Sequence, residues 1–479
     1  MTSTIARRTA HTAEAAESGS VPATGALSVD PEEKRRVLQL WIVIILAFVF
    51  ATGEPVVNLI VGGRLPAGYG STGRVAVTSL GTATGILGEI AFYLGSAVIV
   101  FGSLLRRDRK PAPGAPALLL LGFFLLIVFM SFFSSDATNV RIGSRIAIVL
   151  VLVIWCIQPR IRDLRVIGAV GTLVALGSFA LIPSGKAWML QADFALIEKS
   201  LIGDQLLGGL FPQSNILGIV MATCAPFAFL MKRKSIGAIA FLLMSLALVL
   251  TSSRTALISY AIALPVALIA LIWRNRTFKN VLHASAAIAI VVVVVALPLV
   301  IQDWHAFSNR GAIWMLSRHE WSSLGNFLLG SSLEFYGLDS NFARQNGSPT
   351  YHGHNQFVTL LTMSGALVVC YFVVVMIVAF RGAMSATVGS RPALMALLAL
   401  MGMYIAETPL RIDTVDTLAW ATWFSLICIV IAGANDRADA TALQKAAPIE
   451  TSSTPDRRES LPTGRGSWRT SSSTARRAP

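Results

Sequence analysis

Long apolar runs alternate with short polar breaks along most of the chain. A hydrocarbon core of about 30 Å takes roughly 20 apolar residues per helix. That length selects spans at 38–59, 81–104, 114–133, 141–157, 166–182, 209–230, 235–250, 254–273, 282–301, 355–380, 392–407 and 415–432. The runs 235–250 and 392–407 are short and leave little room for tilt. The polar break "TSSRT" keeps 235–250 apart from 254–273. The pattern predicts an all-α polytopic membrane protein of about twelve transmembrane helices. Nine of these occupy 38–301 and three occupy 355–433, and a large polar loop at 302–354 lies between the ninth and tenth. Residues 1–37 and 434–479 are polar and rich in small side chains, which predicts disordered segments at both ends. No apolar stretch of signal-peptide type precedes the first span.

Composition supports lipid as the solvent. Hydrophobic residues make up 54% of the chain and charged residues 13%, against about 25% charged in soluble domains. The formal charge of +14 would by itself suggest nucleic acid. The basic residues, however, sit in short clusters between apolar runs, which is the positive-inside signature and excludes a nucleic-acid partner. With "EEKRR" inside, the clusters "RRDRK", "PRIRDLR", "MKRK", "WRNRTFK" and "RGAMSATVGSR" all fall on the cytoplasmic side. Both termini then come out cytoplasmic, although Arg141 and Arg145 count against the rule. The four cysteines are scattered, so neither a zinc site nor a disulfide framework is expected.

Two outer loops collect the polar chemistry. At 183–208, "AWMLQADFALIEKSLIG" has the pattern of an interfacial amphipathic helix. The loop at 302–354 holds four of the six histidines and several arginines, and a loop of that length usually has a job. It faces away from nucleotide sugars, so an enzyme there needs a substrate that arrives activated. A sugar on a polyprenyl pyrophosphate meets that need. Arginine supplies rigid paired donors for the leaving group, and a nearby base would take the acceptor proton.

Four stretches then fall into a familiar order: "GGLFPQSNILGIVMA" at 208–222, "TSSRTALISYA" at 251–261, "SNRGAIWMLSRHEW" at 308–321 followed by "FLLGSSLEFYG", and "HGHNQFVTLLTMSGALV" at 352–368. Together they resemble the O-antigen ligase and O-antigen or exopolysaccharide polymerase superfamily, bacterial enzymes that transfer polyprenyl-pyrophosphate-linked glycans on the periplasmic side. Relatives often read Gly-x-Gly where this chain has "GSS" at 330–332, and Ser332 enters left-handed backbone less cheaply than glycine.

The resemblance implies an inner-membrane glycosyltransferase that extends polysaccharide from polyprenyl-pyrophosphate-linked repeat units. An acceptor glycan and a chain-length regulator would be its partners beside the bilayer. The alternative acceptor is lipid A core, as in a ligase; transport of polysaccharide or lipid is a further alternative. Arg254 and Arg310 are the expected pyrophosphate contacts and His354 the group that orients or deprotonates the acceptor. Arg254 could equally anchor a helix at the interface. Expected substrate contacts are Asn215, Trp314, Arg318, Glu334, His352 and Asn355, with Asp339 a second carboxylate near the turn. Asn355 also suits a helix cap. Trp314 suits either sugar stacking or the lipid interface, and Asn215 either the lipid path or a helix bridge. Glu407 and Arg411 read as a local ion pair. No cofactor is expected, and no metal, because carboxylates at ligand spacing are lacking around the histidines.

Overall fold

The computed structural model describes residues 30–65, 75–106, 113–132, 145–189, 200–273, 275–337, 340–347, 350, 352–385, 390–412 and 417–446. The expectations for 1–29, 190–199, Asp339 and 447–479 lie outside the described residues. In order, the helices are α1 (Pro31–Gly62), α2 (Ser79–Leu104), α3 (Gly114–Ser131), α4 (Arg145–Ile157), α5 (Arg165–Ala180), α6 (Ser214–Cys224), α7 (Lys234–Thr251), α8 (Arg254–Ile272), α9 (Arg276–Val300), α10 (Ala306–Glu320), α11 (Leu324–Leu329), α12 (Asn341–Asn346), α13 (Gln356–Ser385), α14 (Ser390–Met403) and α15 (Thr422–Ala446). Extended structure among the described residues is confined to two isolated bridges. Contacts divide the chain into Met1–Asp439, which holds the site, and Ala440–Pro479, whose described part is the end of α15.

The expectation of about twelve transmembrane helices is corrected. Among the described residues, six helices are long and apolar enough to cross a membrane: Pro31–Gly62, Ser79–Leu104, Ile161–Ala180, Lys234–Thr251, Thr277–Val300 and Gln356–Met384. The apolar helices Gly114–Met130, Arg145–Ile157, Ser214–Leu230, Arg254–Ile269 and Arg391–Met403 are shorter. The physical reason lies in what apolar residues face. From Ala393 to Leu400 every side chain of α14 is buried, as is every described one from Leu418 to Ala432. Helices that are apolar all round satisfy a protein core as well as lipid, and hydropathy counts both alike. Pro226, which lacks an N–H, lies where α6 tightens into the 3-10 segment Ala225–Leu230. The chain is thus a largely helical, partly membrane-embedded protein, with helical regions outside its six long spans.

Helix also runs into both end segments expected to be disordered, over 31–37 and 434–446. Asp30 accepts a hydrogen bond from the Glu32 amide and Pro31 opens the helix, so α1 begins inside the polar segment. At the other end α15 continues through 434–446, where alanines favour helix.

Three contacts place the site. Gly402 at the end of α14 packs on Ser259 of α8 so closely that a Cβ would meet its Cβ at 2.9 Å. Within α13, Gly365 has φ +80° and breaks the helix, letting the backbone approach the Leu328 carbonyl of α11. Just after α1, the Arg64 guanidinium donates to the carbonyls of Lys186, Gly209, Phe211 and Pro212 at 2.9 Å each. That fan of donors fixes the segment leading into α6, and burial lowers the Arg64 pKa to about 10.

Candidate functional site

The segment His352 to Asn355 is built from α13 outwards. Asn355 is fully buried and caps α13, its Oδ1 accepting from the Val358 amide at 2.9 Å. Its Nδ2 donates to the carbonyls of Val294 at 2.9 Å and Ile405 at 3.0 Å, tying α13 to α9 and to the exit of α14. Gln356 repeats the tie, donating to the Leu410 carbonyl and accepting from its amide. Gly353 has no room for a side chain: a Cβ would lie 2.8 Å from the Tyr336 hydroxyl. The Gly353 carbonyl accepts from Trp314 Nε1 at 3.0 Å. These bonds leave His354 in the left-handed region, at φ +49°. Non-glycine residues rarely sit there, and such outliers concentrate at functional sites.

Around that strained residue lies a compact charged cluster. Arg310 donates to Glu407 Oε1 at 2.6 Å, and His354 Nδ1 stands 3.6 Å from Glu407 Oε2. The second distance suits an ion pair but is too long for a hydrogen bond. The Arg411 guanidinium reaches His352 Nε2 at 2.9 Å, while His352 Nδ1 accepts from the His354 amide at 3.1 Å. Both neighbours present donors, and a neutral ring can accept at one of its two nitrogens whereas a protonated ring can accept at neither, so the contacts favour the neutral form. Burial, then the charges of His354, Arg411 and Arg310, hold its pKa well below the usual histidine range. Burial likewise lowers His354, with Glu407 pulling the other way. Burial pushes Glu407 up, but Arg310, His354 and Arg411 outweigh it and hold the carboxyl at about 2.

His352, His354 and Glu407 offer three ligand atoms within 4.8 Å of one another, a donor set of the kind zinc uses. The carboxylate missing from the sequence spacing arrives from the far side of α14. Arg310 and Arg411 already hold two of the three groups, however, and a dication there would sit between two guanidiniums. The arrangement fits an anion better. Among the described residues, the Arg310 and Arg411 guanidiniums and the Glu407 carboxylate meet here beside the two imidazoles. His354 Nδ1 is also buried without a hydrogen-bond partner among the described atoms.

The expected residues divide clearly. Arg310, Trp314, His352, His354 and Asn355 converge, joined by Glu407 and Arg411. Glu407 and Arg411, expected to pair with one another, instead take separate partners in this network: Glu407 pairs with Arg310, and Arg411 reaches His352. Trp314 is fully buried and braces the loop, so its ring is no open platform for a sugar. Arg318 donates to the carbonyls of Leu299 at 2.6 Å and Ile301 at 2.9 Å, fastening α10 to the end of α9. Glu334 lies in the turn after α11, where its amide donates to Ser332 Oγ at 3.0 Å. The departure at Ser332 is therefore accommodated without left-handed backbone there. Asn215 is exposed near the start of α6, contrary to a buried bridge, because its neighbours Ser214 and Ile216 take the inward face. Arg254 is exposed at the start of α8, behind the buried Ser252 and Ser253. Its neighbourhood packs on α6 through Gly218, not on the histidines.

No protein-family profile matches the chain, and no curated protein matches it either. The six long spans do not match the topology of about twelve expected alongside the resemblance to the O-antigen ligase and polymerase superfamily. The identity that resemblance suggested is set aside on that ground.

Proposed function

We propose that the protein is a membrane glycosyltransferase that takes a glycan from a polyprenyl-pyrophosphate-linked donor and passes it to a growing glycan. The observation that carries this reading is the pair of guanidiniums, Arg310 on Glu407 and Arg411 on His352, set beside His354. The guanidiniums suit a pyrophosphate whose charge grows as it departs. In the step, the acceptor oxygen bonds to the anomeric carbon while that carbon's bond to the pyrophosphate oxygen breaks. The electron pair leaves with the pyrophosphate, and the acceptor proton passes to His354 Nε2, with the Glu407 carboxylate facing Nδ1. Direct displacement inverts the anomeric centre. The reading places the cluster on the periplasmic face of a bacterial inner membrane, with both termini in the cytosol.

The test is reconstitution in vesicles with a synthetic polyprenyl-pyrophosphate glycan and a free glycan acceptor. Arg310→Ala should slow initial transfer by about 100- to 1,000-fold, the usual cost of removing one preorganised donor. Arg254→Ala in the same assay measures whether the pyrophosphate reaches α8, and a reduced rate is expected. Full activity of a folded Arg310→Ala protein would end the proposal.

A further inference from the structure

A long groove lies between α9 and α13, separate from the charged cluster's own contacts. Its volume is about 440 Å³, within the range of roughly 300–1,000 Å³ that holds drug-sized ligands. The surface it offers is wholly apolar, from Ala287, Val291 and Val295 on one side to Phe372, Val373 and Met376 on the other. On α9 the lining runs from Ala284 to Val295, about 17 Å at 1.5 Å per residue, roughly the half-thickness of a hydrocarbon core of about 30 Å.

The two ends differ. Gln356 and Tyr404 close one end, and both are engaged in bonds that hold the exit of α14. At the other end the stem of the exposed Arg381 joins the lining. Two further basic residues lie near that end in the chain: Lys279, one turn before His283, which immediately precedes the lining residue Ala284, and Arg391, at the start of α14. Neither Arg381 nor Arg391 forms an ion pair with a carboxylate among the described residues. An apolar slot ending in unneutralised cations complements a molecule with a hydrocarbon chain and an anionic head.

We infer that this groove is a binding site for an anionic phospholipid, its chain along α9 and α13 and its phosphate at Arg381. The long stem of arginine lies on the hydrocarbon while the charged head stays at the headgroup level. The site is independent of the glycan-transfer reading, since the lipid belongs to the leaflet at the Arg381 end and the charged cluster does not contact it.

The full chain in nanodiscs of phosphatidylcholine and phosphatidylglycerol tests this by native mass spectrometry of the lipid retained on release. Phosphatidylglycerol should be retained in preference to phosphatidylcholine. Arg381→Gln should lower its retention about fivefold, the worth of one basic side chain at an anionic surface. Val291→Trp, which fills the groove from a half-exposed position, should remove bound lipid of either kind. Should Val291→Trp fail to fold, Arg381→Gln and the wild-type competition decide alone. Equal retention of the two lipids, or unchanged retention in Arg381→Gln, overturns the inference. So does displacement of phosphatidylglycerol by an equimolar polyprenyl phosphate in wild type and Arg381→Gln alike, which would make the groove the donor's own tail site.

Discussion

Glu407 governs the protonation of its neighbours. The carboxyl is held at about 2, so it stays ionised over the whole working range and raises His354 against the lowering effect of burial. As the base, His354 must be neutral, and transfer is lost as pH falls through its pKa. Glu407→Gln removes the raising influence, so His354 loses protons more readily. The acid limb of the pH–rate profile should therefore move to lower pH, while the rate on the plateau falls with the loosened Arg310. An unmoved acid limb would separate His354 from the proton transfer. Sequence spacing made His354 and Arg310 visible as candidates, since both are polar residues at the edges of apolar runs. It left Glu407 and Arg411 as a local pair because their partners are distant in the chain. Only the fold brings "AETPLR" against "HGHN".

Among the elements, the strongest single clamp is Arg64, whose four carbonyl acceptors all belong to the 186–212 segment. Arg64→Ala leaves those carbonyls without their donor at a half-buried site. It should cost about 2–3 kcal/mol, in line with hydrogen bonds from a charged group. Thermal unfolding of the detergent-solubilised protein measures the loss, and Arg64→Lys should recover only part of it because a single ammonium cannot span the fan. Nothing in the sequence around Arg64 announces this role; the partners lie too far along the chain. Helix starts are different. Asp30 before Pro31, Asn275 and Asn355 each cap a helix that their local sequence already signals.

For the whole molecule, the apolar pattern located the helices well and their surroundings poorly. α2 and α14 both come from apolar runs that the sequence pattern reads as spans, yet Val98 on α2 is 72% exposed while Ala399 on α14 is fully buried. The difference depends on which helices pack together, which no local window contains. It has a direct consequence for substitution. Ala399→Leu should cost about 1–3 kcal/mol through overpacking, and Val98→Leu should change stability by less than about 0.5 kcal/mol. Unfolding temperatures of the two variants in the same detergent check the contrast. Equal losses would mean that α14 also faces lipid.

The break at Gly365 separates the nine residues next to the charged cluster from the longer stretch that supplies most of α13's share of the groove. A continuous helix behaves as a rod, passing torsion from end to end through its ladder of backbone bonds. Interrupting that ladder makes a swivel. Lateral squeezing by the bilayer, or exchange of whatever lies along Phe372 and Met376, would then be taken up at the joint before it reached the imidazole of His354.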